Sequence, residues 1–331
     1  MKYIVTGAAG LIGSAIVNAL NQRGETNILA VDHLGSTTEK WKNLRALHFS
    51  DYMEKDDFFT SLLRDPGFIA GDTKAIIHMG ACSSTTETDA SYLVRNNYEC
   101  TKTLASLAVP RGIRFLYASS AATYGDGSRG YRDDESSIEE LRPLNMYGYS
   151  KQMFDLWAKR HGMLDRITGV KFTNVYGPNE RHKGSMRSMV CRAFEQIRDT
   201  GKVRLFRSDR PDYADGEQKR DFLYVKDAAD MVLFLLERPE LCGLYNVGSG
   251  KAETWNELAK AVFDAMKVPV NIEYIDMPDH LKGKYQYYTC ADMSKMKQAG
   301  YPGTIRSLHD AIEDYVVRYL IPDKYLGDQP D

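Results

Sequence analysis

Apolar residues in this chain gather in short unbroken runs, separated by longer stretches where they recur every three or four positions. The runs are Tyr3-Ile4-Val5-Thr6, Ile28-Leu29-Ala30-Val31, Ala75-Ile76-Ile77-His78, Ile113 to Ala118 and Ile167 to Phe172. Their brevity and continuous apolarity predict strands buried on both faces of a parallel sheet. The stretches between them predict helices over about Glu54–Arg64, Asp89–Ala108 and Leu144–His161, and a further strand is expected near Leu47. This alternation predicts an α/β fold with a doubly wound parallel sheet, whose ligands sit at the carboxyl ends of the strands. Beyond Tyr176 the pattern loosens, and residues 208–217, rich in Asp, Pro and Gly, read as loop. Residues 221–237 and 244–250 again read as strand plus helix. The expected division is therefore a first domain over 1–176 rejoined by 221–250, with 177–220 and 251–331 forming a smaller α/β lobe.

Directly after the first run stands Gly7-Ala8-Ala9-Gly10-Leu11-Ile12-Gly13. In a strand–turn–helix setting, Gly7 permits the tight turn, Gly10 lets the main chain approach a pyrophosphate, and Gly13 lets helix and strand pack closely. Asp32, 19 positions after Gly13, ends the second run, where a carboxylate meets an adenosine ribose. Strand, turn, helix, strand and acid in register make this a Rossmann dinucleotide site. His78, in a buried strand, reads as a hydrogen-bonded core histidine.

Composition narrows the class. The 331 residues carry a net charge of −2 with no long basic run, which argues against nucleic acid as a partner. The five cysteines, Cys82, Cys100, Cys191, Cys242 and Cys290, are odd in number and never spaced C-x-x-C, so neither a disulfide frame nor a metal site is expected. The first strand begins too early to leave room for a signal peptide, and no apolar stretch approaches membrane-spanning length. A soluble, cytoplasmic protein without membrane partners is expected.

The chemistry starts at the fifth run, with Tyr117-Ala118-Ser119-Ser120-Ala121-Ala122-Thr123-Tyr124-Gly125. Downstream come Tyr147 and, four positions later, Lys151, which share one helix face. A neighbouring ammonium is expected to lower the Tyr147 pKa, with Ser120 holding a substrate oxygen whose proton Tyr147 takes. Chance alone supplies about one Y-x-x-x-K pair in a chain of this make-up. Tyr98 and Lys102 form another, but lack a serine at a strand end and read as the chance case.

The glycine loop, Ser-Ser-Ala-Ala-Thr-Tyr-Gly, Tyr147-Gly148-Tyr149-Ser150-Lys151 and Asn174-Val175-Tyr176-Gly177-Pro178 together resemble the extended short-chain dehydrogenases/reductases. More narrowly, three stretches resemble the ADP-L-glycero-D-manno-heptose 6-epimerase family. They are Gly80-Ala81-Cys82-Ser83-Ser84-Thr85-Thr86-Glu87, His182-Lys183-Gly184-Ser185-Met186 and Leu281-Lys282-Gly283-Lys284-Tyr285-Gln286. The resemblance covers essentially the whole chain. It implies epimerisation at C-6 of an ADP-manno-heptose for the lipopolysaccharide inner core, by oxidation to a ketone and re-reduction on the other face. It implies homo-oligomers, pentamers in this family.

The resemblance also implies roles for single residues. Lys183 becomes the acid–base partner of Tyr147, whereas residue physics alone reads it as a solvated, phosphate-facing loop lysine. Leu11 and Ile12 offer backbone amides to the pyrophosphate. His33, Met79, Gly80, Ala81, Cys82, Ser83, Asn96 and Val175 line the cofactor. Asn174, Ser185, Arg192, Phe206, Arg207, Ser208, Asp209, Arg220 and Tyr285 face the substrate. Arg220 is the better diphosphate ligand, since its planar fork suits paired charge-assisted bonds. Arg192 reads equally well as a surface charge. The loop 209–218 is longer than the family pattern.

Cofactor choice carries a conflict. Asp32 alone points to NAD, because a carboxylate repels a 2′-phosphate. Yet Lys40, in Gly35-Ser36-Thr37-Thr38-Glu39-Lys40, aligns with the family's phosphate-pairing lysine, and Lys55 is a second cation. NADP is the expected cofactor, with NAD a weaker substitute. A dehydratase on the same scaffold would need acidic groups where Ala121 and Ala122 stand. A non-enzymatic cofactor sensor would not need both Tyr147 and Lys151.

Overall fold

The computed structural model of the chain describes residues 2–36, 39–69, 71–279 and 285–329. The strand β1 (Tyr3–Thr6) leads through the glycine turn into α1 (Leu11–Gln22), followed by β2 (Ile28–Asp32), β3 (Asp51–Glu54), α2 (Lys55–Arg64) and β4 (Ala75–His78). Next come α3 (Ala90–Leu93), a π-helical turn over Val94–Glu99, and α4 (Cys100–Ala108), one nearly continuous rod. Asp89 starts it by accepting the Tyr92 N–H at 2.9 Å, a side-chain cap for otherwise orphaned amides. β5 (Arg114–Ser120), α5 (Met146–Arg160), β6 (Thr168–Phe172) and β7 (Asn174–Tyr176) complete this stretch.

The sequence-based strand near Leu47 is not there. Leu44 and Leu47 lie three apart in a turn, with Leu47 N–H donating to the Leu44 carbonyl at 3.0 Å and both side chains buried. Spacing of three with a closed turn buries apolar residues as well as a strand does, and the strand itself forms later, at β3.

The second half contains α6 (Met189–Thr200), β8 (Val203–Phe206), the two-residue β9 (Lys219–Arg220), β10 (Phe222–Tyr224), α7 (Val225–Leu236) and β11 (Gly243–Val247). After these come β12 (Glu253–Thr254), α8 (Trp255–Met266) and β13 (Ile272–Ile275). The main sheet has seven parallel strands in the order β11-β6-β5-β4-β1-β2-β3, so β11 joins the sheet beside β6. β7 pairs with β10, β8 with β13 and β9 with β12 outside it.

Alternate residues of each central strand feed two cores. Val5, Ala30, Ile77 and Leu116 face one side with α1 and α7, while Ile4, Leu29, Ile76 and Phe115 face the other with α2 and α4. Period-two side chains on a sheet covered on both faces produce this arrangement. The first core continues into α6 and α8. A late segment closes against the cofactor side. Tyr325 and Leu326 are buried, the Leu326 N–H donates to Asn179 Oδ1 at 3.0 Å, and Asp328 pairs with Arg45 at 2.7 Å.

Candidate active site

The turn after β1 is built for close approach. Gly7 has φ +68, and a Cβ there would lie 2.7 Å from the Gly80 nitrogen. A Cβ on Gly13 would collide with the Gly7 carbonyl, so α1 rests against the turn as only glycine allows. No side chain caps α1, whose N-cap is Gly10. The amides of Leu11 and Ile12 therefore open an anion site at the positive end of a 12-residue helix. This donor set fits a dinucleotide pyrophosphate.

Asp32 ends β2 almost fully buried, accepting from Ala9 N at 2.7 Å and His33 N at 2.6 Å, and paired with Lys40. Lys40 thus covers the carboxylate that would repel a 2′-phosphate; Thr37 and Thr38, just before it, lie outside the described residues. His33 and the Leu34 amide lean on Glu54, which also accepts from the Tyr52 hydroxyl at 2.8 Å. Burial tends to raise the Glu54 pKa, but the bonds from Tyr52, Leu34 and His33 hold it below its ordinary value. Lys55 donates to Asn96 Oδ1 at 2.8 Å, bringing two of the expected cofactor residues together across 41 positions.

The strand-end residues Met79–Ser83 are held by two polar anchors. The Gly80 N–H donates to Thr6 Oγ1 at 3.1 Å, and Thr6 Oγ1 lies 2.6 Å from His78 Nδ1. The Thr101 hydroxyl donates to the Asn97 carbonyl at 2.6 Å and lies 3.0 Å from His78 Nε2. This pattern assigns the ring proton to Nε2. Burial, then the Lys151 cation, pushes His78 down to about 3, so it stays neutral: a core histidine, as its strand position suggests. Asn97, within the π-helical turn, clamps Cys82 on both sides, accepting from its N–H and donating to its carbonyl, each at 2.9 Å.

Ser120 closes β5 and its hydroxyl accepts from Ala122 N at 3.1 Å. Tyr147 stands in the first turn of α5, started by Asn145, which accepts the Gly148 N–H at 2.8 Å. A side chain on Gly148 would strike the Ala122 carbonyl, so glycine is what lets α5 approach the end of β5. The Ser120 hydroxyl meets the Tyr147 phenol. Lys151, 4% exposed, donates from Nζ to the Ala118 carbonyl at 2.8 Å.

One electrostatic expectation is corrected. Burial raises the Tyr147 pKa, and the Ser120 hydroxyl, not Lys151, is the group that draws it back. The Lys151 ammonium is turned to a backbone carbonyl, and burial pushes it down to about 8 against the pull of Asp155.

Sequence reading missed what lies behind Lys151. Asp155, one turn further along α5, is fully buried and accepts from the Tyr117 hydroxyl at 2.8 Å, Ser119 Oγ at 2.7 Å and Lys171 Nζ at 2.8 Å. Lys171 also donates to Thr123 Oγ1 at 2.7 Å. The signal was a lysine in the middle of an otherwise buried strand, which only a paired carboxylate makes tolerable.

Lys183 lies half-buried in a short 3-10 stretch, Arg181–Met186, interrupted at Gly184 with φ +54. Glu180, buried, staples this loop by accepting from the Ser188 hydroxyl at 2.7 Å and Gly177 N at 3.3 Å. Burial raises its carboxyl, while Ser188 and the nearby Lys183 charge oppose. His182 is pushed down to about 4, by burial first and then by the nearby cations of Lys40 and Lys183.

Of the remaining expected residues, Arg220, Phe206 and Tyr285 are brought together. Arg220, 7% exposed, lies over the Tyr285 ring at 4.9 Å and the Trp255 ring at 5.7 Å, and Phe206 meets Tyr285 edge-on at 6.4 Å. Burial lowers the Arg220 pKa without discharging it. The Asp209 N–H donates to the Tyr287 hydroxyl at 3.0 Å, and the Ser208 N–H donates to Asp215 Oδ1 at 2.8 Å. Arg207 is spent on Asp276 at 3.0 Å. Asn174 Nδ2 donates to the Asp221 carbonyl at 3.2 Å, and Val175 beside it is half-buried. Ser185 and Arg192 are exposed, Arg192 on α6. Leu281 to Lys284 lie outside the described residues. Among the described residues no His/Cys/Asp/Glu group could hold a metal, and no helix is long and apolar enough to cross a membrane.

Known proteins bear on this geometry. The family described as "NAD dependent epimerase/dehydratase family" matches residues 3–248. An ADP-L-glycero-D-manno-heptose-6-epimerase of Nitratidesulfovibrio vulgaris is 54% identical over 318 residues, covering 96% of this chain and 98% of the relative. One from Fusobacterium nucleatum is 44% identical over 333 residues, covering 98% and 99%. The crystal structure of the Helicobacter pylori ADP-L-glycero-D-manno-heptose-6-epimerase superposes with a TM-score of 0.80 at 24% identity, covering 96% of this chain and 95% of that one. A nicotinamide dinucleotide is therefore this family's cofactor. With its glycine turn, its serine–tyrosine pair and relatives that match it nearly end to end, the chain belongs to the NAD dependent epimerase/dehydratase family, among its ADP-L-glycero-D-manno-heptose-6-epimerases.

Proposed function

We propose that the chain converts ADP-D-glycero-D-manno-heptose to the L-glycero epimer at C-6, using bound NADP, for the lipopolysaccharide inner core. The observation that carries this reading is the approach of Ser120 to the Tyr147 phenol, with Lys151 bonded to the Ala118 carbonyl of the same strand, at the carboxyl end of the sheet whose first turn opens the uncapped end of α1. When bound, the nicotinamide supplies a reversible hydride acceptor. Ser120 orients the reacting oxygen, and Tyr147 takes up and returns its proton. Lys151 ties α5 to the end of β5 through the Ala118 carbonyl. The two epimers present their hydroxyls from opposite faces of one carbon, so a second acid–base group is needed across the site, and Lys183 takes that part. Arg220 holds the diphosphate, backed by Tyr285 and Phe206.

NADP over NAD is supported by Lys40, which neutralises Asp32, and by Lys55 beside Asn96. The substrate-facing set is completed by Asn174, Ser185, Arg192 and residues 206–209. The dinucleotide-binding domain comprises 1–176 and 221–250, the substrate domain 177–220 and 251–331. The enzyme works in the cytoplasm as a homo-oligomer, a pentamer, which sedimentation would measure. The direct test is to supply ADP-D-glycero-D-manno-heptose and follow the C-6 configuration by NMR. Appearance of the L-glycero form supports the reading, and an unchanged spectrum with cofactor-loaded protein overturns it.

A further inference from the structure

Three residues after Lys40, Asn43 is 1% exposed and sits where four segments meet. Its Nδ2 donates to the Ala9 carbonyl of the glycine turn at 2.7 Å and to the Asn179 carbonyl at 2.9 Å. The same nitrogen lies 3.0 Å from His182 Nδ1, on the residue preceding Lys183. Asn179 answers in kind, donating from Nδ2 to Ser14 Oγ of α1 at 3.0 Å and to the Asn43 carbonyl at 3.3 Å. Its Oδ1 accepts the Leu326 amide. Asn179 also holds φ +75, a left-handed conformation that an asparagine adopts more readily than most residues.

Both carboxamides are buried, so each lost partner would leave a polar group unpaired away from water. The turn carrying Lys40, the phosphate-binding turn and the loop carrying Lys183 are consequently fixed relative to one another by two side chains. Neither Asn43 nor Asn179 faces a reacting atom in the reading above.

We infer that Asn43 and Asn179 form a positioning clasp through which seating of the cofactor's 2′-phosphate at Lys40 sets the placement of the Lys183 loop. The inference rests on the assignments of Lys40 and Lys183 under the proposed function. A 2′-phosphate drawn to Lys40 pulls on the turn 40–43, and Asn43 passes that displacement to Asn179 and so to the loop that follows it. NAD, lacking the phosphate, fills the same pocket without loading the clasp.

Amide hydrogen exchange over residues 177–188 reads this without turnover. With NADP bound, exchange there should be slower than with NAD bound by about fivefold or more. In Asn43→Leu, close in size but unable to donate, the two cofactors should protect the loop equally, while NADP affinity changes little. Asn179→Gly keeps the left-handed backbone and removes the side-chain bonds, and should erase the difference as well, even if Asn43→Leu folds poorly. The ratio of kcat with NADP to kcat with NAD should fall toward one in either variant. A purely structural role would lower the melting temperature and slow both cofactors alike. Equal loop protection by NADP and NAD in the parent chain overturns the clasp, as does a difference that survives in both variants. If Lys40→Ala leaves NADP affinity untouched, it is the cofactor reading that has failed instead.

Discussion

The two groups proposed to move protons are housed in opposite ways. Tyr147 and Lys151 stand on a 15-residue helix, against the end of a central strand, with Asp155 and Lys171 paired beneath them in full burial. Lys183 stands on a short 3-10 stretch with a left-handed glycine beside it, its N–H donating to the Glu180 carbonyl at 3.0 Å and its neighbour Arg181 bonded to the Tyr319 carbonyl at 3.2 Å. One base is placed by the sheet, the other by a loop stapled at its ends. The difference teaches that the site has a fixed side and an adjustable side. Elements packed on both faces of the sheet cannot shift alone, whereas a loop tied by a few hydrogen bonds responds to what binds beside it.

The largest expected effect falls on the fixed side. Tyr147→Phe removes one oxygen and keeps the ring, so folding and cofactor binding should persist while turnover drops by roughly two to four orders of magnitude. Near-normal epimerisation in that variant would break the comparison outright. Asp155→Asn leaves Lys171 buried without its charge partner and should cost about 3–5 kcal/mol in a denaturant titration. A loss within experimental error would mean the fixed side owes nothing to that pair.

On the adjustable side, Lys183→Met should lower kcat by about two orders of magnitude with a modest change in affinity. A substrate analogue bearing an aldehyde at the reacting carbon separates the two bases, because it can be oxidised and reduced against itself. Loss of either Tyr147 or Lys183 should then spare one half-reaction. If Lys183→Met raises KM alone, Lys183 is a phosphate-facing loop lysine. Lys40→Ala should weaken NADP by about 1.5–3 kcal/mol and NAD far less, as measured by calorimetry.

The remaining effect is a slope. Burial pushes Lys151 down to about 8 in the folded chain, against 10.5 for an ordinary lysine. Between those values the unfolded chain binds more protons, so this residue makes stability rise with pH through that window, its burial penalty standing in full below it. Lys151→Met should flatten that rise in melting temperatures taken from pH 7 to pH 10, and an unchanged slope would show that the ammonium is better solvated than its burial implies.

Much of the fixed side was legible in the sequence because its rules are local. Gly7, Gly10 and Gly13 declare themselves by the turn they permit, and Tyr147 and Lys151 by helical spacing. The Asp155–Lys171 pair was not, since nothing along the chain says that a helix carboxylate and a strand lysine meet in the core. Nor were Asn43, Asn179 and Glu180, for a polar residue in a turn reads the same whether it faces water or clamps a loop. Leu47 was misjudged because burial in a closed turn imitates a strand. The phenol of Tyr147 was misjudged because i, i+4 spacing fixes a shared face, not the direction in which the lysine points.

The segment around Leu326 has a consequence for how the molecule comes into being. Asp328 pairs with Arg45 across 283 positions, and Leu326 ties down Asn179, so the cofactor side is completed by residues made well after the glycine turn and the central strands. The glycine turn and central strands can assemble on the ribosome long before that, since parallel pairing needs only the strands already synthesised. A nascent chain would thus pass through a stage that has its nucleotide turn and lacks the last tie on the Lys183 loop. Cofactor arriving early would meet an unlatched pocket, and residues 326–328, emerging later than the rest of that pocket, would act as its catch.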